Sequence, residues 1–175
     1  MVFSQGKKES DLKNSKYWIN HLGLLEHPEG GYFKETYRTQ ETFKPRGFDG
    51  QRNSLTSIYF LLEEGNVSHF HSINSDELWC YHAGDPLSIF IIYQNGDLDE
   101  LILGPNLEKG EVLQVVVPAG TIFGSKSNGE YSLAGCIVSP GFDFKDFKLY
   151  STSYLLNQYP NCKAIIKELS KEHYQ

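Results

Sequence analysis

The chain lacks basic charge. Its 16 Lys and Arg face 22 Asp and Glu over 175 residues, a formal net charge of −6. Such a surface has no pull on phosphate backbones or anionic lipid, and no run of Lys and Arg offsets it, so neither nucleic acid nor membrane is expected as a partner. Cysteine is also sparse: Cys80, Cys136 and Cys162. An odd number at wide spacing, with no CxxC pair, indicates neither a zinc knuckle nor a disulfide framework. Cys80 and Cys136 fall in strand-like runs, where a free Cys is usually a small buried hydrophobe. A reducing compartment follows, and a cytoplasmic location is expected. Long apolar runs are missing too. The longest, around Leu87 to Tyr93, falls far short of the roughly 20 residues of a membrane helix. Residues 1–10 hold no apolar stretch of the kind a signal peptide needs. There is no internal repeat, low-complexity stretch or linker.

What is abundant is aromatic: 11 Phe and 11 Tyr, which suit pleated, half-buried strands. The length fits one domain with one core, since domains run from about 50 to 250 residues. Leu12, Trp18, Ile19 and Leu22 lie at helical spacing before Gly23, predicting a helix near Leu12 to Leu22. His27-Pro28-Glu29-Gly30-Gly31 reads as a turn. Strands are then predicted over 32–38, 55–62, 67–71, 76–82, 87–93, 98–103, 112–117, 121–125 and 131–138. Residues 39–52, with Pro45, Gly47 and Gly50, form a long polar loop between the first two. Asn95-Gly96 is the strongest hairpin signal, of the type I′ kind with positive φ at both positions. Many short strands with turns at regular spacing mean a sandwich or barrel. Residues 151–159 suggest a short helix stopped by Pro160, and Cys162, Ile165, Ile166 and Leu169 form a second helical stripe.

The segment that carries chemistry runs from Gly65 through His69, His71 and Glu77 to Gly84. Alternation along a strand puts His69 and His71 on one face. Glu77 opens the next strand and shares a face with Trp79 and Tyr81, opposite Asp76, Cys80 and His82. Two His and one carboxylate with open positions suit a non-haem Fe(II) site and also accept Mn, Ni or Zn. The same groups can instead hydrogen-bond a ligand or one another. Glu29 and Glu35 are the other candidate pocket acids. Glu29 reads better as a surface carboxylate, and Glu35, on a face with Phe33 and Tyr37, is the better candidate. Lys34 and Arg38 lie on the opposite face, where a solvated edge strand explains them as well as an anionic substrate does. Phe70 opposes the two His and reads as core.

Here the chain resembles the cupin superfamily. Its first motif, Gly, His-x-His, Glu and Gly, is matched by Gly65, His69, His71, Glu77 and Gly84, with spacers that differ by a residue or so. The second is matched by Gly110 and Pro118-Ala119-Gly120, with Phe123 where the last metal-binding His of the motif would stand. His27-Pro28-Glu29-Gly30-Gly31-Tyr32, Asp76-Glu77-Leu78-Trp79, Gly84-Asp85-Pro86 and Ser139-Pro140-Gly141-Phe142 resemble the branch catalogued as a domain of unknown function. The resemblance implies an all-β, double-stranded β-helix (jelly-roll) barrel with peripheral N- and C-terminal helices. It implies one cupin domain over 1–175, with its core at about 24–150, and a homodimer.

Three functional readings follow. In the first, His69, His71 and Glu77 are catalytic and hold a divalent metal (Fe, Mn, Ni or Zn), while Glu35, Trp79, Tyr81 and Phe123 line the pocket for a small molecule. In the second, a metal-free epimerase or isomerase acting on sugar nucleotides uses His69 or His71 as base, oriented by Glu77. In the third, the barrel is a non-enzymatic storage or ligand-binding module.

Overall fold

The structure, a computed structural model, describes residues 13–174. Leu12, the first residue of the expected N-terminal helix, and the stretch 1–10 lie outside the described residues. Helix α1 spans Ser15–Leu22. Asn14 caps it, its side-chain oxygen accepting from the Tyr17 N–H at 3.0 Å, and Gly23 ends it at φ 65°. A left-handed residue is what a helix stop of this kind needs, and glycine takes it without strain.

Two antiparallel sheets then face each other. The larger orders its strands β1 (Leu25–Glu26), β2 (Tyr32–Arg38), β5 (Thr56–Glu63), β12 (Tyr131–Ser139), β7 (Asp76–Gly84) and β10 (Gln114–Val117). The smaller runs β13 (Lys148–Leu149), β6 (Val67–Ser72), β11 (Ile122–Ser127), β8 (Leu87–Ile92) and β9 (Leu98–Leu103). This is the jelly-roll arrangement. Every strand predicted from the sequence is present to within about two residues, the usual uncertainty of strand ends. The two-residue strands β1, β13, β3 (Thr42–Phe43) and β4 (Arg52–Asn53) were not foreseen, being too short to carry an alternation. Asn95-Gly96 does make the β8–β9 hairpin, but Gly96 alone has positive φ. The turn is therefore not type I′; Tyr93 N–H closes it onto Asp97 O at 2.9 Å.

Three apolar clusters hold the layers. Phe60, Leu62, Trp79, Ile89, Ile91 and Phe123 fill the interior between the sheets. Helices α2 (Thr152–Gln158) and α3 (Lys163–Leu169) bury Leu155, Ile165, Ile166 and Leu169 against Phe70, Phe90 and Ile122 on the outside of the smaller sheet. Helix α1 lays Trp18, Ile19 and Leu22 over Leu24, Leu61 and Leu133 outside the larger one. The helices are thus peripheral, as expected. No helix among the described residues is long and apolar enough to cross a membrane.

The long loop is shorter in effect than it reads. β3 pairs with β4. Arg52, 4% exposed, then donates from Nε and Nη2 to the two Asp146 carboxylate oxygens at 2.6 and 2.8 Å. The loop is thereby pinned to the turn Phe144–Asp146.

Candidate functional site

A cavity of about 220 Å³ opens between the sheets at one end of the barrel. Phe33, Phe60, Trp79, Phe142 and Phe144 give it aromatic walls, and Ile58, Ile73 and Val138 fill in between. His27, Glu29, His71, Glu77 and Cys136 supply polar groups, and Glu35, Arg38 and Asp143 add charge.

The loop from His27 to Gly31 is the least expected contributor. Gly30 at φ 108° lies so close to Val67 that any Cβ there would strike the Val67 carbonyl, and a Cβ on Gly31 would sit 2.6 Å from Leu62 Cδ2. Only glycine permits that approach. The loop therefore presses onto β5 and β6, where Glu29 O accepts the His69 N–H at 2.8 Å. The Glu29 side chain turns inward and is 6% exposed. Its Oε1 accepts from Ser68 Oγ at 2.7 Å. Its Oε2 lies 3.2 Å from His71 Nε2 and 3.3 Å from His27 Nδ1.

The proton arrangement follows from the partners. His71 Nδ1 lies 2.7 Å from the main-chain carbonyl of His69. A carbonyl only accepts, so Nδ1 carries the hydrogen and Nε2 of the neutral ring presents its lone pair. His27 Nδ1 accepts from the Glu29 N–H at 3.3 Å, which engages its lone pair. The His71 lone pair facing Glu29 Oε2 at 3.2 Å requires a proton between them. The electrostatics agree. Burial raises the Glu29 carboxyl above its ordinary range and lowers His27, and it pushes His71 down to about 4. Glu29 and His71 thus share one exchangeable proton between Oε2 and Nε2.

Glu77 sits apart from that pair. Burial pushes it up to about 8. Cys136 and Trp79 are its neighbours, and the Cys136 thiol is raised well above its usual value by burial. The Trp79 indole N–H faces this carboxyl but reaches hydrogen-bond geometry with no partner. At the cavity's charged edge Arg38 commits four of its five N–H groups. It donates to both Glu35 oxygens at 3.0 and 2.7 Å, to Asn53 Oδ1 at 3.0 Å and to Phe142 O at 3.1 Å.

Of the residues expected at the site, His71, Glu77, Glu35 and Trp79 line the cavity. His69, Tyr81 and Phe123 do not. The His69 case is a correction with a simple cause. Phe123 pairs with His71 but Ser125 pairs with Ser68, so two residues of β6, His69 and Phe70, oppose the single Gly124. This β-bulge resets the alternation. Ser68 and His71 then both turn to Glu29, while His69 turns to the C-terminal segment, with Nδ1 3.4 Å from Leu169 O and its ring against Tyr174. Tyr81 packs against the inner core, its hydroxyl donating to Gly84 O at 2.7 Å. Phe123 lies behind His71, with ring centroids 4.1 Å apart. A second bulge, at Thr36 in β2, has a similar effect: Glu35 pairs with Ile58, but Tyr37 pairs with Ser57 and Arg38 with Thr56. Arg38 therefore joins Phe33 and Glu35 at the cavity instead of lying opposite them. Glu29, expected as a surface carboxylate, is buried in the cavity wall instead, and His27 was not foreseen at all; the signal for both was Gly30-Gly31, which demands a close backbone approach.

A metal held by His69, His71 and Glu77 does not fit this arrangement. His69 leaves the set, and among the described residues no three His, Cys, Asp or Glu side chains form a group that could hold an ion.

Comparison with known proteins gives the lineage. The family described as "Cupin superfamily (DUF985)" matches residues 16–150. An uncharacterised protein of Saccharomyces cerevisiae is 36% identical over 143 residues, covering 73% of this chain and 71% of that protein. A solved structure from Shewanella oneidensis superposes with a TM-score of 0.87 at 44% identity, over 93% of this chain and 100% of that one. A hypothetical protein from Leishmania major gives 0.86 at 38%, over 91% and 99%. Oxalate decarboxylase from Bacillus subtilis, at 0.55 and 17% identity over 86% of this chain and 37% of its own, shares the fold alone. By sequence and by structure the chain belongs to the cupin superfamily, in the branch known as a domain of unknown function.

Proposed function

We propose that this cupin is a small-molecule enzyme that works by acid–base chemistry at the Glu29–His71 pair, with Glu77 anchoring the ligand's polar group. The observation that carries the reading is the buried Oε2–Nε2 contact in the cavity wall. A neutral imidazole whose tautomer is fixed by a main-chain carbonyl is a ready proton acceptor. The carboxyl beside it exchanges a proton with it without changing the net charge of the pair. Glu29 does not drift, because Ser68 holds its other oxygen. The aromatic walls exclude water and strengthen each polar contact inside. His71 draws the Glu29 proton onto Nε2, and the carboxylate so formed takes the proton from the substrate and later returns it. This reading is a metal-free one, and its small cavity admits the reacting part of a ligand rather than a whole sugar nucleotide.

The test is proton exchange at carbon. A set of small metabolites is incubated with the protein in D2O and followed by mass spectrometry. At least one compound should gain a deuterium with the wild-type protein and none with His71→Gln. Ligands that bind without any exchange would reduce the cavity to a binding module.

A further inference from the structure

The charge of the site constrains what enters it. Glu29, Glu35, Glu77 and Asp143 face the cavity, against the single guanidinium of Arg38. That cation already commits four of its five N–H groups to Glu35, Asn53 and the Phe142 carbonyl. An anionic ligand would find one uncommitted guanidinium N–H against four carboxyl groups. Five aromatic rings line the same space, and ring faces attract cations. The Trp79 indole N–H stands beside Glu77, 1% exposed and without a partner. A buried donor left unpaired costs free energy, and an ionised Glu77 would supply the acceptor it lacks.

We propose, resting on the acid–base reading of this cavity, that its ligand is a small organic ammonium compound whose nitrogen pairs with Glu77 among the aromatic walls. Glu77 carries a proton in the empty site. When an amine enters neutral, that proton passes from the Glu77 oxygen to the amine nitrogen. When it enters as ammonium, the proton leaves to solvent. In either case the product is a buried ammonium–carboxylate pair, with the Trp79 N–H donating to the carboxylate. Glu29 is already satisfied by Ser68 and His71, which leaves Glu77 as the counter-ion.

Three probes of nearly one shape separate charge from fit: benzylamine, benzyl alcohol and benzoate, titrated calorimetrically at neutral pH. Benzylamine should bind about tenfold more tightly than benzyl alcohol, and benzoate should not bind. Glu77→Gln should remove the preference for the amine. Phe142→Leu, which takes one ring from the wall and leaves every carboxyl in place, should weaken the amine more than the alcohol. If the alcohol or benzoate binds ahead of the amine, or if Glu77→Gln keeps the preference, the ammonium assignment is wrong while the cavity stands as a small-molecule site. If none of the three binds at millimolar concentration, both that assignment and the small-molecule reading fail.

Discussion

Glu77 should make the protein less stable than it need be, by an amount that depends on pH. In the unfolded chain its carboxyl ionises around the ordinary value of 4.5, whereas in the folded protein it holds its proton to about 8. A raised acid favours folding below the unfolded value, and that contribution is lost as pH climbs toward the folded one. Each pH unit between the two costs about 1.4 kcal/mol. The deficit is therefore near zero at pH 4.5, about 3 kcal/mol at pH 7 and about 5 kcal/mol above pH 8. Glutamine has nearly the same shape and does not titrate. Glu77→Gln should match the wild type at low pH and exceed it by those margins as pH rises, which urea unfolding at pH 5, 7 and 9 would measure. Comparing the two proteins removes His71 from the result. Its lowered value works with the opposite sign, giving stability above 6.5 that is lost as pH falls toward 4, and it does so in both variants. A constant difference across the three pH values, or a mutant less stable at pH 9, would refute the assignment of Glu77 as a buried neutral acid.

Three further outcomes are expected. Nitrogen-15 chemical shifts should show His71 neutral and protonated on Nδ1 down to about pH 4, whereas an imidazolium signal at pH 6 would contradict the proton arrangement. Glu29→Gln should abolish proton exchange at carbon yet change unfolding stability by no more than about 1 kcal/mol, because the amide can still donate to His71 and accept from Ser68. Gly124→Ala should destabilise by about 1–3 kcal/mol in urea, since its Cβ would lie 2.8 Å from Ser68 O and 3.3 Å from Phe70 N; an unchanged midpoint would show that the bulge in β6 is not tightly fitted.

The fold was legible because turn residues and short alternating runs act locally. Asn95-Gly96, Pro118-Ala119-Gly120 and Gly84-Asp85-Pro86 each separate two strands whatever lies across the sheet. The site was legible only where alternation held. From Glu77 to Trp79 it held, and both face the cavity. In β6 and β2 it failed, because a bulge is decided by the partner strand: Gly124 accommodates two residues opposite it, and nothing in His69-Phe70-His71 announces that. Glu29 was undervalued for a related reason. A carboxylate beside two glycines reads as exposed loop, and its burial depends on an approach to Val67 and Leu62, distant in sequence and supplied by the packing of the barrel.

The bulge also divides labour within one residue. His69 offers its main-chain carbonyl inward, where it sets the tautomer of His71, and its side chain outward, where it meets the C-terminal segment. The orientation of the His71 ring is thereby written into backbone shape. No side-chain replacement at position 69 can erase that acceptor, so the proton centre should tolerate drift there. A loosened C-terminal segment, by contrast, would act on the strand itself. The tail beyond α3 becomes a lever on the chemistry without contributing an atom to it.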